Sequence, residues 1–160
     1  MKKMAVLGIG PKWGVVVVVY GAFSTFFSYW YAVLRIPESL GSVATITGIA
    51  LLAIGIPFYA LSGRTIIRGF PTGELLTTGV YGLCQPPVYG SWIVFIIPGL
   101  ELLLRSWLGL TTSMVGYALL RIMAGEEEDY LQEKFGKSYL RYRRRTPFVL
   151  PIGLFRRDSP

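Results

Sequence analysis

From Trp13 to Leu34 the chain runs for 22 residues without a charge, with Lys12 and Arg35 at its borders. As an α-helix at ~1.5 Å per residue this run reaches about 33 Å, enough to cross a hydrocarbon core of ~30 Å. The valines Val15 to Val19 would favour a strand in water. In lipid every backbone group must be bonded within the segment, so helix is the expected state. Tyr29, Trp30 and Tyr31 near one end suit the headgroup level.

The rest of the chain follows the same logic. A second uncharged run extends from Ser39 to Gly63, with a span expected over 43–61 and Pro57 placed to kink it. Further spans are expected over 89–104, with Pro98 inside, and over 107–123. Only Arg105 and Ser106 clearly separate these two, so they should form a tight hairpin. With the first span at 13–34, the reading is all-α: an integral membrane protein with four transmembrane helices in a single domain. Glu101 lies near the hairpin turn and is expected at the headgroups beside Arg105 rather than buried as a functional acid.

Composition agrees. Of 160 residues, 52% are hydrophobic and only 16% charged, too few to clothe a soluble surface of this size. The net charge of +7 is gathered mainly at the two ends. Beside so much apolar sequence, that charge reads as contact with membrane lipids, and no nucleic-acid partner is expected. One cysteine, Cys84, excludes an internal disulfide. The absence of histidine excludes a histidine-based dyad or a histidine-ligated ion, and no metal site is expected. The first apolar run is too long for a signal-peptide core and lacks a clear cleavage site.

Charge also orients the spans. Lys2, Lys3 and Lys12 precede the first, Arg64 and Arg68 lie between the second and third, and Arg141, Arg143, Arg144 and Arg145 follow the fourth. Four crossings put all three groups on one side, which the positive-inside rule makes the cytoplasm, with both termini there.

Two segments are unlike spans. Residues Gly69 to Pro87 are broken by Pro71, Gly73, Gly79, Gly82, Pro86 and Pro87 and read as an interfacial loop. Past Gly125 the chain turns amphipathic, and a cytoplasmic C-terminal helix is expected over 126–145. Its apolar members Tyr130, Leu131, Phe135, Tyr139 and Tyr142 fall at spacings that put several on one face. Pro147 and Pro151 then end it, and Phe148 to Phe155 forms an apolar patch suited to dip into the interface. Loop and helix share the cytoplasmic face. Glycines admit close approach, prolines fix shape, and tyrosines offer a ring face and a hydroxyl. Glu127 and Glu128 suit the amine of a cationic ligand, and nearby rings suit a sulfonium. The same residues also suit a plain interfacial tyrosine belt beside a solvated acidic helix.

The loop contains Thr77-Thr-Gly-Val-Tyr-Gly-Leu-Cys-Gln-Pro-Pro-Val-Tyr89, and the helix contains Glu127, Glu128, Leu131, Phe135, Gly136, Tyr139 and Tyr142. In these two motifs, ordered around a helical hairpin, the chain resembles the integral-membrane methyltransferases of the isoprenylcysteine carboxyl methyltransferase and phospholipid methyltransferase group. The resemblance covers about residues 45–151 and implies methyl transfer from S-adenosylmethionine to a lipophilic small-molecule or prenylated acceptor. It implies catalytic roles for Glu127 and Glu128, and a cofactor site made of Tyr81, Gln85, Pro87, Tyr89, Glu127, Tyr139 and Tyr142. The chain departs from the pattern at Gln85-Pro86, where the family carries Arg-His, and at Phe148, where an arginine often stands. Proline has neither a side-chain donor nor a backbone N–H. The departures keep a second expectation open: a member without catalysis that serves as a structural or lipid-binding partner in a membrane complex.

Overall fold

Helix α1 (Gly10–Trp30) starts with Pro11 in its first turn, where a missing N–H costs nothing because no partner exists there. The computed structural model of which it is part describes residues 9–69 and 77–150, apart from the side chains of Arg68, Glu126, Glu127 and Tyr130. Short 3-10 turns (Ala32–Leu34 and Glu38–Leu40) lead into α2 (Gly41–Gly69). This helix holds Pro57 in its interior and continues two turns beyond the expected 43–61. Its Ser62 and Thr65 hydroxyls donate to the carbonyls of Phe58 and Leu61, so they add no unpaired polar group.

After the turn Gly79–Gly82, α3 spans Pro87–Leu103. Its middle, Trp92–Ile96, is a π-turn. Pro98 explains the placement: its ring would collide with the carbonyl of residue 94, and a widened turn just upstream makes room. Helix α4 covers Trp107–Phe135, and α5 covers Lys137–Arg145. The expected boundary near Gly125 is therefore absent, and the last span and the acidic segment are one rod. The break comes at Gly136, whose φ of 52° and ψ of −125° suit a residue without a Cβ.

Among the described residues, three helical stretches are long and apolar enough to cross a membrane: Gly10–Trp30, Glu38–Ile67 and Trp107–Gly125. The third expected span, 89–104, is the shorter helix α3, about 26 Å at ~1.5 Å per residue. Large apolar side chains face outward, as with Val18 at 65% and Ile122 at 79% exposure. Lipid is the solvent that suits them.

Close backbone approach joins α2 to α3. A Cβ added to Gly48 would lie 2.8 Å from the Gly99 carbonyl oxygen, and one on Gly55 would lie 2.6 Å from the Phe95 Cβ. Membrane helices pack in this way because small residues let backbones meet. The core gathers Trp13 and Val17 of α1, Ile93 and Ile97 of α3, Leu120 of α4, and Val149 from beyond α5. Trp13 Nε1 donates to the Gly116 carbonyl at 2.8 Å. Val149 corrects the expectation of an interfacial patch after Pro147: it is buried, and Phe148 packs against the core beside it. Residues 151–155 of that patch lie outside the described residues.

Glu101 is a further correction. It is 6% exposed and faces a polar seam between α1 and α4. Thr25 Oγ1 donates to its Oε2 at 2.6 Å. Ser28 and Ser106 hydroxyls bond at 2.7 Å, and Ser106 Oγ also accepts from the Gly109 N–H at 2.7 Å. Arg105 instead turns its guanidinium over Gly41 at the start of α2.

The two ends of the bundle are distinct. The Ile36 N–H donates to the Arg105 carbonyl at 2.8 Å, which ties the α1–α2 connection to the α3–α4 turn. The loop before α3 and the segment after Gly136 meet at the other end, as Gln85 and Phe148 show by pairing in a parallel bridge.

Candidate functional site

Gln85 is where the two motifs touch. Its peptide bond to Pro86 is cis. Its Nε2 donates to Tyr139 Oη at 2.9 Å. Its backbone N–H donates to the Pro147 carbonyl, and its carbonyl accepts from the Val149 N–H, both at 2.9 Å. The chain after α5 is thereby laced to the loop before α3. Gly90 allows this: a Cβ there would come within 2.7 Å of the Val149 carbonyl oxygen and 3.2 Å of Cys84 Sγ. Val149 itself holds φ at 65°, a rare region for a β-branched residue, under the constraint of this lacing.

A second link lies beside the first. Tyr142 Oη donates to the Tyr81 carbonyl at 2.6 Å. Tyr139 and Tyr142 stand three residues apart on α5, which explains why one helix face delivers both hydroxyls to the loop. Both are buried, Tyr139 completely. Arg143 closes a third link with an ion pair to Glu128 on α4 at 2.7 Å, which holds α5 against the rod it folds back along.

The expected site residues thus divide. Tyr81, Gln85, Tyr139 and Tyr142 come together, and Glu128 joins them through Arg143. The Glu127 side chain lies outside the described residues; its backbone is in α4. Pro87 is buried as the first residue of α3. Tyr89 turns to α1, where its ring meets Trp13 edge-on at 5.2 Å between centroids and its hydroxyl lies against Gly10. The motif reading gave no site role to three further parts: the Pro147–Val149 segment, where it marked only the departure at Phe148, Cys84 and Trp13. The signal for the first was the helix-ending Pro147, after which the chain has to go somewhere.

Burial governs the chemistry. The Cys84 thiol is pushed up to about 12 by desolvation. The Tyr142 hydroxyl is also raised, first by burial and then by Tyr81, Cys84 and Tyr139 around it. Neither is an anion near neutral pH, so neither serves as a base or nucleophile. The arrangement offers a carboxylate, ring faces and fixed hydroxyls, a set suited to holding and orienting a cation rather than to proton transfer. Two surface depressions lie elsewhere. One of about 420 Å³ is apolar and runs along α2 from Ile49 to Pro57, and one of about 340 Å³ lies on the basic face of α5.

No family model matches the chain, and no solved structure matches it. Over 81 residues, 51% of its length, the chain is 34% identical to the protein-S-isoprenylcysteine O-methyltransferase of Mus musculus and to that of Rattus norvegicus. It spans only 29% and 28% of those two proteins. Over 153 residues it is 32% identical to the nickel-cobalt-cadmium resistance protein NccN of Alcaligenes xylosoxydans xylosoxydans, covering 92% of this chain and 67% of that protein. Its long apolar helices, with large apolar side chains turned outward, make the chain a membrane protein.

Proposed function

We propose, from the premise that the chain belongs to the family of the nickel-cobalt-cadmium resistance protein NccN, that it is a membrane-embedded methyltransferase. It takes the methyl group of S-adenosylmethionine to a lipophilic acceptor of isoprenoid, lipid or prenylcysteine type. The observation that carries this reading is the meeting of the two motifs, with Gln85 on Tyr139 and Tyr81 on Tyr142. The similarity to isoprenylcysteine methyltransferases over half the chain supports it.

When bound, S-adenosylmethionine supplies a methyl group on a sulfonium, an electrophile that needs positioning more than acid or base. A chain whose buried thiol and phenol both stay neutral suits that need. Glu127 and Glu128 would hold the cofactor's amino group or orient the acceptor. Tyr81, Gln85, Pro87, Tyr139 and Tyr142 would line the cofactor site, where the tyrosine rings would favour a positive sulfur, and Tyr89 would support it from its packing on Trp13. The fit is poorest at Gln85-Pro86, where the amide nitrogen is already engaged by Tyr139.

That engagement favours a second reading, a catalytically degenerate member that acts as a structural or lipid-binding subunit of a membrane complex. The groups a cofactor would need bond one another: Gln85 with Tyr139, Tyr142 with Tyr81, and Glu128 with Arg143. The name of NccN attaches that protein to nickel, cobalt and cadmium resistance. With no histidine and a single cysteine, this chain has no thiolate or imidazole set for such ions. A shared role would act through the membrane or a partner.

Equilibrium binding of S-adenosylmethionine to the purified protein in detergent decides between the two. The enzyme reading expects binding, weakened about tenfold or more by Glu127→Gln or Glu128→Gln, since a hydrogen bond to a charged group is worth roughly 1.5–3 kcal/mol. No binding at millimolar cofactor leaves the second reading. Gln85→Arg with Pro86→His then separates a damaged site, which gains binding, from an altered one, which does not.

A further inference from the structure

Helix α5 has two faces of opposite character. Tyr139 and Tyr142 face inward and are buried. Lys137, Leu140, Arg141, Arg144 and Arg145 face outward, are exposed, and together line a depression of about 340 Å³. Their spacing of three, four, seven and eight residues from Lys137 is that of a single helical face. Among the described residues the only ion pair is Arg143 to Glu128, so the four cations of the depression have no carboxylate on them there.

The path of the chain sets where this face lies. The apolar part of α4 ends at Gly125, and the helix continues to Phe135, about 15 Å further at ~1.5 Å per residue. The chain turns at Gly136, and the ion pair of Arg143 with Glu128 brings α5 back along α4. Helix α5 then returns about 13 Å. Within four residues of Arg145 the chain reaches Val149, which joins Trp13, Val17 and Leu120 in the apolar core. Arg144 and Arg145 therefore stand where the apolar helices begin, with Arg141 and Lys137 stepping outward. Leu140 sits exposed among them, as suits a boundary between headgroups and acyl chains.

We propose that this face is a binding site for the phosphate of an anionic lipid headgroup, in the leaflet to which α5 returns. Four cations converge on one depression, and arginine forks match phosphate oxygens two at a time. The level of the site and the exposed leucine select a lipid over a soluble anion. The proposal stands whether or not the chain transfers methyl groups.

The test uses the full chain in nanodiscs of roughly three parts phosphatidylcholine to one part phosphatidylglycerol, with native mass spectrometry of the lipids retained after release. Phosphatidylglycerol should be enriched over the nanodisc composition. Arg141→Gln/Arg144→Gln/Arg145→Gln should abolish that enrichment, each arginine near the surface being worth roughly fivefold at low salt. Arg64→Gln, an exposed cation outside the depression, should leave it intact. The proposal is overturned if the triple variant retains the wild-type preference, or if Arg64→Gln lowers it as much. Displacement of the lipid by millimolar inorganic phosphate would also overturn it, in favour of a free anion. Should the triple variant not survive purification, the wild-type protein at high salt gives the same reading: enrichment must fall as the charges are screened, and enrichment that ignores salt defeats the idea.

Discussion

At Gln85 three hydrogen bonds meet, and each reaches a residue more than fifty positions away: its side chain bonds Tyr139, and its backbone bonds Pro147 and Val149. Removing one partner is worse than removing both, because a buried donor left alone loses water without recompense. Gln85 is half-buried, so Tyr139→Phe should destabilise the protein by about 0.5–1.5 kcal/mol. Tyr142→Phe, which removes the bond to the Tyr81 carbonyl, should cost a similar amount. Thermal unfolding in detergent reads both, and unchanged midpoints would show that these links do not hold the two motifs together. The sequence put Tyr139 and Tyr142 on one helix face from their spacing alone. It could not say what the face meets, because partners far along the chain leave no periodic trace. The same holds for Glu101. Its neighbour Arg105 looked like its natural companion, yet the two side chains diverge, one to Thr25 and one to Gly41.

Between elements, glycines decide how closely α2 and α3 lie. Gly48 and Gly55 face backbone or near-backbone atoms that cannot move aside, whereas a Cβ on Gly63 meets nothing within 4 Å. Gly48→Ala and Gly55→Ala should each destabilise by about 1–3 kcal/mol through overpacking. Gly63→Ala in the same helix should be neutral or stabilising, by up to about 1 kcal/mol. Equal effects at all three positions, measured by the same unfolding assay, would refute this picture of the interface. Helix α4 shows why element boundaries were hard to read. Gly125 and the acids after it resemble a stop, but one interior glycine costs only about 1 kcal/mol, and the glutamates, Leu131, Gln132 and Lys134 that follow favour helix. The chain bends only at Gly136, where the backbone takes a positive φ. That glycine was visible in the motif; the conformation it supplies was not.

On the scale of the whole molecule, the distribution of charge predicts an orientation. Basic groups flank the ends of the bundle at which Gln85 meets Phe148, so that end should face the cytoplasm. Reporter fusions at the C-terminus and within the 31–40 connection should show the first inside and the second outside, and the reverse result would overturn the assignment. Membrane residence and helical class were settled by the sequence itself, because 22 uncharged residues have few other stable fates and lipid leaves the backbone no choice but internal bonding. The paired motifs were legible for the same kind of reason, as local patterns of glycine, proline, acid and tyrosine. Only the tertiary structure decided that Glu101 is buried, that Val149 closes the core, and that the polar groups of the two motifs bond each other. Each of these depends on contacts between residues far apart in the chain, and such contacts are fixed by packing and by the need of every buried polar atom for a partner.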